Sequence, residues 1–230
     1  SRSRELHAAA MPGAAAREIA ALTRERPDGG EREPFLLEAY TGVEAHGRAL
    51  RLAQRLGPGI LSASTTAAYL YPRAYWTRVT AAADAARLDP YVVLALMRQE
   101  SLFDAGAVSS AGALGLTQVV PPTAAEIAAD LGVTDFRDAD LLKPDVSLRF
   151  GAHYLAAQID GFGGSLQAAL AAYNGGPGNA GRWADAAGGD PDLLLELIDF
   201  DETRLYVEVV LANYALYRFA YGATGNASLP

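Results

Sequence analysis

Asp89-Pro90-Tyr91-Val92-Val93-Leu94-Ala95-Leu96-Met97-Arg98-Gln99-Glu100-Ser101 is the stretch that decides the fold. An Asp followed by Pro starts a helix: the carboxylate accepts from a first-turn N–H, and Pro sits where an N–H would find no partner anyway. The seven consecutive apolar residues from Tyr91 to Met97 make this helix apolar all round, the pattern of a helix buried among others. Val93, Leu96/Met97 and Glu100 lie on one stripe at helical spacing. A carboxylate therefore continues a buried stripe at a helix C-terminus. Desolvation and the negative end of the helix dipole both oppose its ionisation and push its pKa upward, as a general acid near neutral pH requires. The alternative is an ion pair with Arg98 or another cation at a solvated helix end, and the stripe alone does not choose between the two.

Outward from this helix, the punctuation predicts a mainly α chain. Residues 105–115 carry glycines and read as irregular structure or a small hairpin. Pro121-Pro122-Thr123 opens a helix that Gly132 closes, and another runs from about Ser147 to Ile159. Ser165 caps a helix that ends at Asn174-Gly175-Gly176-Pro177-Gly178, and the last long helix spans about Glu202 to Phe219. Toward the N-terminus, short helices are expected at 16–24, after Pro34, and at 45–56, with stops at 27–30 and 57–59. Tyr71-Pro72 marks a boundary between a scaffold-like helical segment, 1–68, and a second unit, 69–230.

Composition narrows the function. A chain of 230 residues, half of them apolar, buries one good core plus a smaller appendage. A net charge of −8 without any Lys/Arg-rich run argues against a nucleic-acid partner and against a polybasic membrane contact. There is no cysteine, and His7, His46 and His153 are far apart, so no metal site and no cofactor are expected. The acidic run Asp135, Asp138, Asp140 reads as a solvated loop. No apolar run approaches the ~20 residues needed to cross a bilayer. The Ser-Arg-Ser-Arg start lacks a signal-like apolar stretch, which fits a cytoplasmic chain or a processed one.

Four segments then follow in order: Glu100-Ser101, with Ser109 after it; Gly112-Ala113-Leu114-Gly115-Leu116-Thr117-Gln118, with Pro121 and Thr123; Ala171-Ala172-Tyr173-Asn174-Gly175-Gly176-Pro177-Gly178, with Trp183; and Glu202-Thr203-Arg204-Leu205-Tyr206-Val207. This arrangement resembles the soluble lytic transglycosylase family, whose signature is an ES dipeptide, a GAxGLMQ turn, an AYNAGPG segment and a late ETRxYV segment. The resemblance extends roughly from Tyr71 to Tyr221. It implies a lysozyme-like α+β catalytic domain with a small strand region near 105–120, preceded by helices like the tail of a helical scaffold.

The same resemblance makes Glu100 the single catalytic acid/base. It sets Ser109 against the N-acetyl group of the muramic sugar, Gln118, Val120 and Tyr173 along the cleft, Asn174 as a support of that loop, and Glu202 as a second carboxylate in the groove. Gln118 offers both donors and an acceptor to a sugar, and Tyr173 ends an apolar stripe that anchors its ring. Plain alternatives stand beside these: Tyr173 as a core aromatic, Asn174-Gly175 as a helix cap, Glu202 as a first-turn carboxylate that favours its own helix. Thr117 and Val120 stand where the family usually has Met, which predicts altered packing of the glycan subsites. The implied activity is non-hydrolytic cleavage of peptidoglycan glycan strands by a monomer in the cell envelope, without metal or cofactor. A goose-type lysozyme-like hydrolase, a non-catalytic glycan-binding module and a helical interaction scaffold are the competing readings.

Overall fold

Asp89 caps the decisive helix as its sequence demands, its carboxylate accepting from the Tyr91 N–H at 2.9 Å. In the computed structural model, which describes residues 12–24, 32–56 and 63–222, this is the sixth of twelve α-helices. They are α1 (Pro12–Arg24), α2 (Arg32–Thr41), α3 (His46–Leu56), α4 (Ala63–Leu70), α5 (Trp76–Ala86), α6 (Pro90–Ser101), α7 (Pro121–Asp130), α8 (Pro144–Gly161), α9 (Leu166–Gly175), α10 (Pro177–Ala187), α11 (Pro191–Leu197) and α12 (Asp201–Tyr221). A single 3-10 turn, Asp138–Leu142, precedes α8.

Every residue from Val92 to Met97 is buried, so α6 is the axis of the main core. The long α12 lies along it most extensively, and α5 also packs on it. A run of alanines, Ala168, Ala169, Ala171 and Ala172, is buried on α9, where small side chains let neighbouring helices come close. A second apolar cluster joins α1, α2 and α3 through Ile19, Leu37, Tyr40 and Leu52, and a third joins α7 to α8 through Ile127 and Phe150. The first two interlock: Leu50 of α3 belongs to the main core, while Tyr69 and Leu70 pack against the N-terminal cluster. At the junction, three successive carbonyls are held by the main body. Leu70 accepts from Arg98, Tyr71 from the Tyr221 hydroxyl at 2.8 Å, and Pro72 from the Tyr217 hydroxyl at 3.0 Å.

Several expectations change. The strand region is reduced to two antiparallel bridges, Val108 with Leu114 and Leu114 with Val119, and no longer strand occurs among the described residues. Positive φ at Gly112, Gly115 and Gln118 turns the chain too often for a ladder to grow. Pro34 lies inside the first turn of α2, which starts at Arg32. Helices α4, α5, α10 and α11 were not foreseen. Helix α5 begins after Tyr75 in a left-handed conformation with no side-chain cap, so it carries none of the usual start signals. Gly176-Pro177 ends α9 and starts α10 at once, a double use that hides the second helix. The stops expected at 27–30 and 57–59 lie outside the described residues. Among the described residues no helix is long and apolar enough to cross a membrane.

Candidate active site

Glu100 stands in the last turn of α6, where its carboxylate accepts from the Tyr206 hydroxyl of α12. Burial raises its pKa to about 7, and the Tyr206 hydrogen bond, which favours the charged form, offsets part of that rise. The ion pair with Arg98 does not form. Arg98 turns to the other side of α6, where its Nε donates to Asn213 Oδ1 at 3.1 Å and its guanidinium stacks 4.5 Å over the Tyr71 ring. Tyr173, at the end of α9, is the third member of the cluster. Burial first, and then the Glu100 charge, hold its hydroxyl well above the usual tyrosine range, so it stays protonated. That proton is donated to the Thr117 carbonyl at 2.8 Å.

The chain leaves α6 through Leu102 and Phe103, both with positive φ, and folds back as a loop against the helix end. Phe103 is buried and pins the reversal. Ser101 Oγ donates to the Leu116 carbonyl at 2.8 Å, tying the loop to α6 next to Glu100. Ser109 Oγ accepts from the Ala113 N–H at 3.0 Å, and Gln118 Nε2 donates to the Gly115 carbonyl at 2.8 Å and to that of Ala107 at 3.3 Å. Both residues thus shape the loop, which leaves the Ser109 hydroxyl proton and the Gln118 Oε1 for a ligand. Gly115 is required here: a Cβ would lie 2.0 Å from the Leu141 carbonyl oxygen. Val120 is partly exposed at the start of α7. Thr117 lies deeper. It is fully buried against α8, so any effect on a glycan subsite would act through its neighbours and not by direct contact.

The Transglycosylase SLT domain model matches residues 78–194. The chain belongs to this family. Its relatives include the soluble lytic murein transglycosylase of Salmonella typhimurium, 36% identical over 158 residues that make up 66% of this chain and 24% of that protein. The transglycosylase of Enterobacteria phage PRD1 is 34% identical over 109 residues, 47% of this chain and 37% of the phage protein. Among solved structures, the 70 kDa soluble lytic transglycosylase from Escherichia coli superposes with a TM-score of 0.78 at 26% identity, covering 96% of this chain and 35% of that one. Its complex with bulgecin A gives a TM-score of 0.79. The SLT-domain chain thus spans about a quarter of its Salmonella relative and little over a third of the phage protein and of the E. coli structure.

Asn174 Oδ1 accepts from Thr203 Oγ1 at 2.7 Å and joins the end of α9 to the start of α12, beyond the matched segment. A Cβ on Gly175 would lie 3.1 Å from the Thr203 side chain, so the two helix ends fit closely. Glu202 does not join Glu100. It is exposed in the first turn of α12 and makes no ion pair among the described residues. Tyr206 is the residue that sequence reasoning passed over. Its signal is the stripe Thr203, Tyr206/Val207 and Val210, buried at helical spacing, in which a tyrosine brings a hydroxyl inward. No group of three or more His, Asp or Glu side chains among the described residues is arranged to hold a metal. Asp140 of the acidic run is engaged by Lys143 Nζ at 2.7 Å and by the Arg137 N–H at 2.9 Å.

Proposed function

We propose that this SLT domain cleaves peptidoglycan glycan strands between N-acetylmuramic acid and N-acetylglucosamine without consuming water, leaving a 1,6-anhydro end. The observation that carries this reading is one largely desolvated carboxyl group, Glu100, whose pKa of about 7 keeps it substantially protonated at neutral pH, with tyrosines rather than a second carboxylate around it among the described residues. Most hydrolytic glycosidases use a second carboxylate as nucleophile or as base for water. The names of the murein transglycosylases among its relatives support the same substrate.

In this reading Glu100 gives its proton to the glycosidic oxygen, and the bond from C1 to that oxygen breaks. The substrate's own N-acetyl group supports the cationic C1, its amide held by the Ser109 hydroxyl. Glu100, now a carboxylate stabilised by Tyr206, takes the proton of the C6 hydroxyl as O6 bonds to C1. The carboxyl group is thereby restored. The C6 hydroxyl is tethered to the reacting sugar, so its effective concentration can far exceed that of a loosely held water. Gln118, Val120 and Tyr173 line the cleft, Asn174 braces its edge through Thr203, and Glu202 acts at the periphery.

The preceding helices serve as scaffold to a catalytic unit over 69–230, and the domain works as a monomer in the cell envelope, where its substrate lies. Purified peptidoglycan incubated with the protein should yield 1,6-anhydro muropeptides by mass spectrometry, and Glu100→Gln should yield none. Products dominated by reducing ends would refute the reading.

A further inference from the structure

The turn from Gly115 to Gln118 is gripped from both sides. Toward α9, the Thr117 carbonyl accepts the Tyr173 hydroxyl proton at 2.8 Å. Toward α8, the Thr117 N–H donates to Ser147 Oγ at 3.2 Å, and Thr117 Oγ1 donates to the Ser147 carbonyl at 2.8 Å. Thr117 and Ser147 are both fully buried, so water cannot replace either bond. Two glycines make room for the pair. A Cβ on Gly151 would lie 2.4 Å from Thr117 Cβ, and one on Gly115 would lie 2.8 Å from Ser147 Oγ.

We infer that Thr117 is a positioning residue that, clamped to Ser147, fixes through its carbonyl where the Tyr173 hydroxyl stands in the cleft. The inference rests on the proposed role of Tyr173 as a cleft residue that meets the reacting sugar. A phenol has one proton to give and can also accept. Because that proton is committed to Thr117, Tyr173 meets the substrate as an acceptor, and its partner must be a sugar hydroxyl or an amide N–H. The carbonyl that orients it belongs to the same residue whose amide and hydroxyl are anchored 30 residues later in the chain, on α8. The Met that the family usually places here has no hydroxyl and cannot make the bond to the Ser147 carbonyl. A Met would keep the backbone bond to Ser147 Oγ and lose the hydroxyl half of the clamp.

The test is a double-mutant cycle on glycan cleavage. Thr117→Val keeps the shape and removes the hydroxyl. It should lower kcat on the order of tenfold, short of the ~10²-fold that a full ångström of misplacement can cost, and leave KM little changed. Thr117→Ser retains the hydroxyl and should keep most of the wild-type kcat. In a Tyr173→Phe background, Thr117→Val should cost almost nothing more. Should Thr117→Val fail to fold, Ser147→Ala loosens the same clamp and should show the same dependence on Tyr173. A wild-type kcat in Thr117→Val, an equal loss in both Tyr173 backgrounds, or a Thr117→Ser as slow as Thr117→Val would each overturn the inference. A crystal structure of Thr117→Val decides it without any assay: the distance from the Tyr173 hydroxyl to the residue 117 carbonyl should lengthen from 2.8 Å, and an unchanged distance would overturn it. Absence of anhydro products from the wild type would count against the proposed function instead.

Discussion

The C-terminal end of α6 and the N-terminal end of α12 each carry a glutamate that the family resemblance puts near the substrate, and the fold treats them in opposite ways. Glu100 is partly buried at the negative end of its helix dipole and holds its proton to about pH 7. Glu202 is exposed at the positive end of its own helix, where a negative charge stabilises the first turn. What α12 supplies to the Glu100 carboxyl is a tyrosine one turn further on, not its glutamate. A carboxylate's place on its helix, and the neighbour it meets, therefore separate the two glutamates more sharply than motif membership does.

The largest expected effect comes from removing the titrating proton. Glu100→Gln keeps the shape of the side chain and should lower kcat by at least ~10²–10⁴-fold, the usual worth of general acid–base catalysis. Near-wild-type activity in that variant would end the distinction between the two glutamates.

The same substitution should stabilise the fold, and only on the alkaline side. The folded pKa of about 7 lies above the ordinary 4.5, so the folded state binds the proton more tightly than the unfolded state. The stability this contributes is complete below pH 4.5 and is lost as pH rises through about 7. Glutamine has no charged form. Its gain over the wild type should be near zero at pH 4 and approach about 3 kcal/mol at pH 8, at about 1.4 kcal/mol per pH unit. Urea unfolding at the two pH values measures it, and an equal difference at both would contradict the buried-carboxyl account.

Tyr206→Phe sharpens the comparison from the side of α12. The hydrogen bond it removes favours the Glu100 carboxylate, so the pKa should rise and the alkaline limb of the kcat profile should move to higher pH. A limb that stays in place or moves toward acid would show that Tyr206 does not act on the carboxyl group. Glu202→Gln should be the mildest change. An exposed charge is screened by salt, and kcat should change by no more than about twofold. A loss comparable with that of Glu100→Gln would make Glu202 a second catalytic carboxylate.

Side-chain caps made two helices legible but were not decisive: Asp190-Pro191 opens α11 with the same signal as Asp89-Pro90 and was passed over, while α12 was legible without a cap. Asp89-Pro90 and Ser165 announce α6 and α9 because their oxygens accept from the first-turn amides, and Glu100 follows from the stripe that α6 buries. Helix α5 was illegible because its start is a left-handed tyrosine without a cap, and α10 because one Gly-Pro pair closes one helix and opens the next. Tyr206 and the Thr117–Ser147 clamp were illegible for a different reason. Each depends on which residues far apart in the chain come to face one another, 106 apart for Tyr206 and Glu100 and 30 apart for Thr117 and Ser147. Periodicity places such residues inward but does not name the partner they meet.

The central claim is that one carboxyl group does the work and the substrate's own C6 hydroxyl takes the place of water. Digestion of peptidoglycan in water enriched in oxygen-18 tests this most directly. A ring closed by O6 takes no oxygen from solvent, so the released muropeptides should carry no label and each should be lighter by one water than a hydrolytic product. Muropeptides ending in a reducing sugar with one solvent-derived oxygen-18 would mean that a water attacks C1, and would contradict the account.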